Sequence, residues 1–244
     1  TQQMCKTIKR RNPNKPSFWY LSYTHPHPPL VPIHTYFERY TRKNIPLPLQ
    51  SHWSNETQLT FLKNIKNRWP QMSKELIADV RRAFYALCTH IDAQIRLVIG
   101  TLREEKLLDN TIIMITSDHG DMLGDFGLFA KRLMYENSIR VPMILLGTKE
   151  DKIVGRGKVS NRLVGLADIM PTLLNLAKIK IPSSCDGQSM LDKKPRKFLY
   201  AEANEGINAT RMVTNNNFKL VWYPYGNSFQ LFDLANDPKE LEDI

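Results

Sequence analysis

The sequence predicts an α/β protein in which a mostly parallel sheet is flanked by helices and followed by a small antiparallel subdomain. Two features predict the sheet: a continuous run of apolar and β-branched residues from Thr111 to Thr116, and a long amphipathic segment directly before it. From Arg196 onward the chain changes to short strand-like segments separated by polar turns, which is typical of an antiparallel meander. We therefore predict a main domain, residues 1–192, and a smaller one, residues 193–244.

The composition is that of a folded protein with a substantial core. The chain has 244 residues, of which 42% are hydrophobic, and no segment reaches the apolar length of a membrane span. Its three cysteines, Cys5, Cys88 and Cys185, are widely spaced and odd in number, which predicts neither a disulfide framework nor a zinc site. The chain begins with Thr1 rather than Met, as a mature product or a fragment would.

The formal net charge of +10 is concentrated partly in the first fifteen residues, which contain five basic residues and no acid. No recognised nucleic-acid-binding motif accompanies this segment, so we predict a solvated basic surface and no nucleic-acid partner. Attraction of anionic substrates is the alternative.

The N-terminal part begins with the end of a helix and continues through the aromatic-rich segment from Ser17 to Tyr23, which predicts a strand. The strand leads into His27, which lies between two prolines. Because proline restricts the backbone on both sides, the imidazole would be held with little conformational freedom, as a proton donor requires. A histidine that merely packs within a turn would fit the same pattern.

A long helix is predicted before the central strand, with Ser73 as its N-cap. Its apolar positions recur at steps of three and four and form one stripe: Leu76, Val80, Phe84, Leu87, Ile91, Ile95, Val98 and Leu102. Helix, turn and strand together predict a crossover unit of a parallel sheet. Val141 to Leu146 then predicts the next buried strand.

Ionisable residues follow the central strand directly. Asp118 and His119 lie at its carboxyl end, where ligands gather in open α/β sheets, and Gly120 permits a sharp backbone turn behind them. A carboxylate and an imidazole together suit a divalent cation, and Lys131 would bring a positive charge to an anionic substrate. An ordinary loop with solvated charges is the alternative on residue types alone.

The segment 117–145, SDHGDMLGDFGLFAKRLMYENSIRVPMIL, resembles the signature of the sulfatase family within the alkaline phosphatase superfamily. The resemblance implies that Asp118 and His119 bind an active-site divalent metal, most often Ca²⁺ and in some relatives Mg²⁺ or Mn²⁺. It also implies that Lys131 contacts the sulfate. One departure is Phe126, which stands where many relatives carry histidine.

A second segment, residues 18–32, FWYLSYTHPHPPLVP, resembles the sulfatase pattern F-x-L-Y-x-S-F-x-x-P-H-x-P. This implies that His27 binds the sulfate and protonates the leaving oxygen. Further family motifs match residues 168–174, 186–189 and 231–240, so the resemblance covers nearly the whole chain and implies an alkaline-phosphatase-like fold. Trp53 and Trp69 fall in a stretch that lines the substrate entrance in relatives, which makes them candidate specificity residues.

Sulfatases use a formylglycine nucleophile made from the first residue of a C/S-x-P-x-R motif, and none of the three cysteines begins such a motif. We therefore expect the chain to be the C-terminal portion of a longer arylsulfatase or choline-sulfatase-like enzyme. No nucleophile is assigned within it, and the missing N-terminal segment would supply one. Alone, the chain is expected to be inactive and to bind metal weakly, because calcium prefers six or more oxygens.

The predicted function is metal-dependent hydrolysis of a sulfuric ester, on a sulfated small molecule or glycan. Two alternatives remain: a phosphonate monoester or phosphodiester hydrolase of the same superfamily, and a non-catalytic relative that binds an anion through His27 and Lys131. The resemblance favours a periplasmic, secreted or lysosome-like location and leaves a cytoplasmic one open. The oligomeric state is not predicted.

Overall fold

The computed structural model of the protein describes residues 1–55, 57, 59–69, 71–150, 153–154 and 157–244. The helices are α1 (Gln2–Lys9), α2 (His34–Phe37), α3 (His52–Asn55), α4 (Thr60–Lys66), α5 (Lys74–Glu104), α6 (Glu136–Ile139) and α7 (Ile169–Leu176). The strands are β1 (Ile113–Thr116), β2 (Met143–Leu146), β3 (Leu199–Ala203), β4 (Thr210–Thr214), β5 (Phe218–Tyr223) and β6 (Ser228–Asp233).

The chain divides into two compact units. The first unit comprises Thr1–Leu47, Gln71–Thr111 and Thr148–Glu150, and the second comprises Pro48–Pro70, Ile112–Gly147 and Asp151–Ile244. The boundary predicted after residue 192 comes from the sequence pattern alone, and it stays a prediction.

The first unit is organised around α5, a helix of 31 residues. Ser73 caps it as expected, since its side chain accepts a hydrogen bond of 3.2 Å from the Leu76 amide. Charged contacts attach the neighbouring segments to this helix. Arg11 contacts Glu105 at 3.1 Å, and Arg42 contacts Asp79 at 2.5 Å. Within the helix, Arg82 contacts the same carboxylate at 2.7 Å. The ring of Tyr36 stacks on His90. The predicted long helix is therefore confirmed.

The segment from Ser17 to Tyr23 differs from its prediction, because the structure assigns it neither helix nor strand. The side chains of Phe18 and Tyr20 are 79% and 80% exposed. A strand requires a neighbour that accepts its backbone hydrogen bonds, and among the described residues none pairs with this segment. The strand prediction was wrong here.

The strands β1 and β2 occur where they were predicted, but they pair with each other in an antiparallel direction, with Ile113 opposite Leu146. Neither is deeply buried, and Ile144 is 50% exposed. A parallel pair would need a crossover, usually through a helix, whereas the segment between these strands holds a 3-10 turn (Asp125–Gly127) and the single turn α6 and reverses the chain. The predicted parallel, fully buried character of this pair is thus corrected.

The C-terminal segments form a four-stranded antiparallel sheet in the order β3-β4-β5-β6, which confirms the predicted meander. Its strands alternate between a buried and a more exposed face, and in β5 the buried positions are Lys219, Val221 and Tyr223. The buried face contributes to a core that also includes the loop after β1. This core contains Phe61, Leu62, Met122, Phe126, Leu128, Leu133, Met134, Tyr135, Met212, Val221, Tyr223 and Phe232.

Candidate active site

The loop after β1 brings Asp118 and His119 together. Two hydrogen bonds orient the Asp118 carboxylate, one from the His119 amide at 3.0 Å and one from the Ser117 hydroxyl at 3.3 Å. The carboxylate is 81% exposed, and its Oδ2 lies 3.4 Å from Nε2 of His119. The two side chains therefore turn toward one point, as the sequence predicted.

The tautomer of His119 follows from its hydrogen bonding. Its Nδ1 lies 2.8 Å from the carbonyl oxygen of Gly120. Since a carbonyl can only accept, Nδ1 carries the proton and Nε2 of the neutral ring carries the lone pair. Histidines that bind metals usually donate their second ring nitrogen in this way. The pair Asp118–His119 thus fits two ligands of one divalent cation.

The lowered pKa of Asp118 also favours the binding of a cation. Partial burial raises the pKa of its carboxyl, but the attraction of His119 and the hydrogen bonds from the His119 amide and Ser117 outweigh that effect and leave the pKa below its ordinary value. The carboxylate is therefore charged at neutral pH. Within the described part of the chain, no group of three or more His, Cys, Asp or Glu side chains is arranged to hold a metal ion.

Gly120 fixes this loop against α6. Its amide donates a hydrogen bond of 2.8 Å to the carbonyl oxygen of Ser138. A Cβ atom at Gly120 would lie only 2.0 Å from the carbonyl oxygen of Asn137, so the backbones approach too closely for any other residue. The position of the Asp118–His119 pair therefore depends on where α6 lies.

The loop that leads to Lys131 is closed by its own hydrogen bonds. The Asp121 carboxylate accepts from the amides of Leu123 and Ala130, at 2.9 and 3.1 Å. Ala130 and Arg132, on either side of Lys131, both adopt the left-handed conformation, with φ of 63° and 71°. Each such non-glycine residue costs roughly 1–2 kcal/mol, and strain of this kind concentrates at functional sites. The half-buried Lys131 thus lies in a hydrogen-bonded turn whose backbone is strained on both sides of it.

Phe126, which departs from the family pattern, belongs to the core. Its side chain is 1% exposed, and its ring centroid lies 4.8 Å from that of Trp53 and 6.0 Å from that of Tyr135. Trp53 is held in place as well, because its indole nitrogen donates to the carbonyl of Glu240 at 2.9 Å. These contacts explain how both aromatic residues pack, and the role of Trp53 in specificity stays a prediction. Trp69 is 41% exposed and packs on Phe129.

His27 lies in the first unit, on an exposed turn in which its amide donates to the Thr24 carbonyl at 3.1 Å. Its Nδ1 donates to the Pro28 carbonyl at 2.8 Å, so Nδ1 carries the proton of the neutral ring. The turn thus orients the ring as expected between prolines. Asp118, His119 and Lys131 belong to the second unit.

Two polar residues of the signature segment were given no role from the sequence. Asp125 is buried, accepts a hydrogen bond of 2.8 Å from the Leu49 amide, and also accepts one from the Asn137 side chain. These bonds connect the loop after β1 to α6. The sequence did offer a signal, because Asp125 and Asn137 lie inside the segment that resembles the family signature. A polar residue there that binds no ligand is a candidate for a structural hydrogen bond.

The sequence of this chain matches known protein families over the loop after β1 and over the segments around it. The sulfatase domain matches residues 1–179, and the C-terminal domain of N-sulphoglucosamine sulphohydrolase matches residues 124–244. An arylsulfatase of Clostridium perfringens is 36% identical over 97% of this chain, and arylsulfatase K of Homo sapiens is 28% identical over 96% of it. The chain covers 51% and 48% of these two relatives, so it spans about half of their length.

Solved structures show the same fold. The phosphonate monoester hydrolase of Agrobacterium radiobacter superposes with a TM-score of 0.88 at 20% identity, covering 99% of this chain and 55% of that one. A protein solved in complex with its substrate D-glucosamine-2-N,6-O-disulfate superposes with a TM-score of 0.83 at 22% identity, covering 100% of this chain and 64% of that one. These neighbours support the predicted alkaline-phosphatase-like α/β class.

The chain therefore belongs to the sulfatase family. Members of this family generally use a divalent metal. No helix among the described residues is both long enough and apolar enough to cross a membrane.

Proposed function

We propose that the complete protein hydrolyses sulfuric esters and that this chain supplies part of its active site. The observation that carries the proposal is the Asp118–His119 pair, whose Oδ2 and Nε2 atoms lie 3.4 Å apart within the family signature. A non-catalytic anion-binding relative would have no reason to retain this pair together with His27 and Lys131.

Each residue has a distinct proposed task. Asp118 and His119 hold a divalent cation, Ca²⁺ in the first instance, with Mg²⁺ or Mn²⁺ as alternatives. The bound cation would neutralise charge on the sulfate oxygens. Lys131 binds the sulfate as a fixed positive charge, and His27 binds it and protonates the leaving oxygen through Nε2. Because Ca²⁺ takes six to eight oxygen ligands, we propose that further ligands come from outside this chain.

The nucleophile is proposed to be a formylglycine from a segment outside these 244 residues. The cysteines present do not suit that role. Cys185 is followed by Asp186 and Gly187, and its thiol points to the Gly187 carbonyl at 3.7 Å. Such a residue would supply the nucleophile toward sulfur, and His27 would protonate the leaving oxygen as its bond to sulfur breaks.

The substrate is proposed to be a sulfated sugar or another sulfated small molecule, and no nucleic acid is proposed as a partner. A sugar is supported by the C-terminal domain match to N-sulphoglucosamine sulphohydrolase and by the fold neighbour solved with a disulfated glucosamine. A secreted, periplasmic or lysosome-like location is proposed to accompany this chemistry. Phosphonate monoester hydrolysis is the second candidate, since two fold neighbours carry that name.

The test is turnover of p-nitrophenyl sulfate by the full-length protein, compared with p-nitrophenyl phenylphosphonate. We expect Asp118→Asn, Lys131→Ala and His27→Asn each to lower the rate by at least about 100-fold. Their matched controls are Asp186→Asn, Lys180→Ala and His34→Asn, which change exposed residues of the same types and should leave the rate unchanged.

Two results would contradict the proposal in different ways. Faster turnover of the phosphonate than of the sulfate would assign the protein to the second candidate function. No turnover of either compound by a folded full-length protein, combined with retained binding of sulfate ion, would assign it as an anion-binding relative.

A further inference from the structure

A buried ionic cluster lies between the C-terminal sheet and α6. We call it the Lys219 cluster; it consists of Lys219 on β5, Glu136 at the start of α6, and Glu240 near the C-terminus. The Lys219 ammonium is fully buried and lies 2.8 Å from Oε1 of Glu136 and 2.5 Å from Oε1 of Glu240. Along the chain, Lys219 is 83 positions from Glu136 and 21 positions from Glu240, so only folding brings the three residues together.

Glu240 also binds the backbone of α6. Its Oε2 accepts a hydrogen bond of 2.7 Å from the Glu136 amide, which is one of the amide groups that a helix leaves without an internal partner. Its carbonyl oxygen accepts the indole N–H of Trp53 at 2.9 Å. Glu240 therefore fixes the first turn of α6 from the side of the C-terminal sheet.

The same turn, α6, also contacts the loop that carries Asp118 and His119. The Ser138 carbonyl accepts the Gly120 amide at 2.8 Å, and the Asn137 carbonyl occupies the space that a Cβ of Gly120 would need. Asp118 and His119 precede Gly120 directly. A continuous set of contacts thus runs from Lys219 through α6 to the two candidate metal ligands, all within the second unit.

The cluster is poorly explained by stability alone. Burial raises the pKa of Glu240 despite the opposing attraction of Lys219, which means that the folded environment disfavours its charge. Glu240 also adopts the left-handed conformation, with φ of 58°, which is unfavourable for a residue with a side chain. Buried ion pairs of this kind are often no more stabilising than well-packed apolar residues of similar volume.

We propose that Lys219, with Glu240 and Glu136, is a positioning residue that holds α6 where it fixes the Asp118–His119 loop for cation binding. The proposal rests on the proposed function, because it assigns the metal to that loop. Lys219 is buried against Glu136 and Glu240, so it would act on the loop through them. Its effect is transmitted by the hydrogen bond from Glu136 to Glu240 and by the contacts of α6 with Gly120.

The experiment measures calcium affinity of the full-length protein by calorimetry, together with its melting temperature. We expect Lys219→Met to weaken calcium binding about tenfold, as loss of outer-shell support commonly does. The control Val221→Ala lies two residues along the same strand and is also fully buried. It should lower the melting temperature without changing calcium affinity.

A double variant, Lys219→Met with Glu240→Met, separates positioning from stability. It replaces the paired charges by apolar groups, so the melting temperature should recover relative to Lys219→Met alone. Calcium affinity should stay weak, because the hydrogen bond from the Glu136 amide to Glu240 is lost. Recovery of both quantities together would overturn the proposal, as would unchanged affinity in Lys219→Met.

Asp118→Asn distinguishes failure of this proposal from failure of the proposed function. If Asp118→Asn loses calcium binding while Lys219→Met retains it, only the positioning role is refuted. If Asp118→Asn binds calcium like the unmodified protein, the metal site itself is misassigned and both proposals fail.

Discussion

Replacing Gly120 by alanine tests the close packing of the Asp118–His119 loop on α6. The added Cβ would lie 2.0 Å from the carbonyl oxygen of Asn137 and 3.0 Å from its carbonyl carbon. Non-bonded heavy atoms prefer separations of about 3.5 Å, so the loop must retreat from α6 by more than about 1 Å. That movement would also stretch the hydrogen bond of 2.8 Å between the Gly120 amide and the Ser138 carbonyl.

The expected consequence is a loss of activity larger than the loss of stability. A displacement of about 1 Å in a catalytic constellation can lower kcat about 100-fold. Overpacking of this kind typically lowers the free energy of unfolding by about 1–3 kcal/mol, which a folded domain can tolerate. The assay is kcat of the full-length protein on p-nitrophenyl sulfate, with urea unfolding measured on the same samples.

Gly100→Ala is the matched control. Gly100 lies within α5, and a Cβ there would meet nothing within 4 Å. Because alanine favours a helix over glycine, this variant should raise the free energy of unfolding by about 0.5–1 kcal/mol and leave kcat unchanged. A Gly120→Ala protein that retained kcat within about threefold would refute the argument that this contact positions Asp118 and His119.

Three further outcomes are expected. Hydrogen bonds from Arg42 and then Arg82 lower the pKa of Asp79 to about 2 from its ordinary 3.8, so the carboxylate stabilises the fold above about pH 4 and this contribution is lost as the pH falls toward 2. Asp79→Asn should therefore lower the free energy of unfolding at pH 7 by less than about 1 kcal/mol, since solvent screens the partly exposed site, and the difference should shrink in acid-unfolding measurements. Phe126→His should lower stability by roughly 2–3 kcal/mol in urea unfolding, because a buried imidazole replaces an apolar ring, while KM for p-nitrophenyl sulfate stays unchanged. The 244-residue chain expressed alone should release no sulfate and should bind calcium more weakly than the full-length protein in calorimetry; equal affinity would show that it holds a complete metal site.

The sequence was a good guide to elements that depend on local pattern. The helix α5 begins after Ser73 as predicted, because its cap and its apolar stripe both act over a few residues. The C-terminal meander was likewise predicted from short alternating segments. In contrast, the segment from Ser17 to Tyr23 has the composition of a strand, yet no strand in the described part of the chain pairs with it, and composition does not reveal whether a partner is present. The direction in which β1 and β2 pair also depends on the connection between them.

In the candidate site too, contacts between neighbours in the sequence were predictable and contacts between distant residues were not. Asp118 and His119 are adjacent in sequence, so their proximity was predictable, and the structure adds the tautomer of the ring. The Lys219 cluster was not predictable from spacing, because the hydrogen bond between Glu136 and Glu240 spans 104 positions. Charged residues within strands are usually solvated, and only the fold shows that Lys219 is buried.

The most direct measurement is anomalous diffraction from crystals of the full-length protein grown with Mn²⁺ as a heavier substitute for Ca²⁺. We predict an anomalous peak within about 2.6 Å of both a carboxylate oxygen of Asp118 and Nε2 of His119, accompanied by further ligands from outside this chain. A metal bound elsewhere, with Asp118 and His119 left in solvent, would contradict the assignment of this loop as the metal site of a sulfuric ester hydrolase.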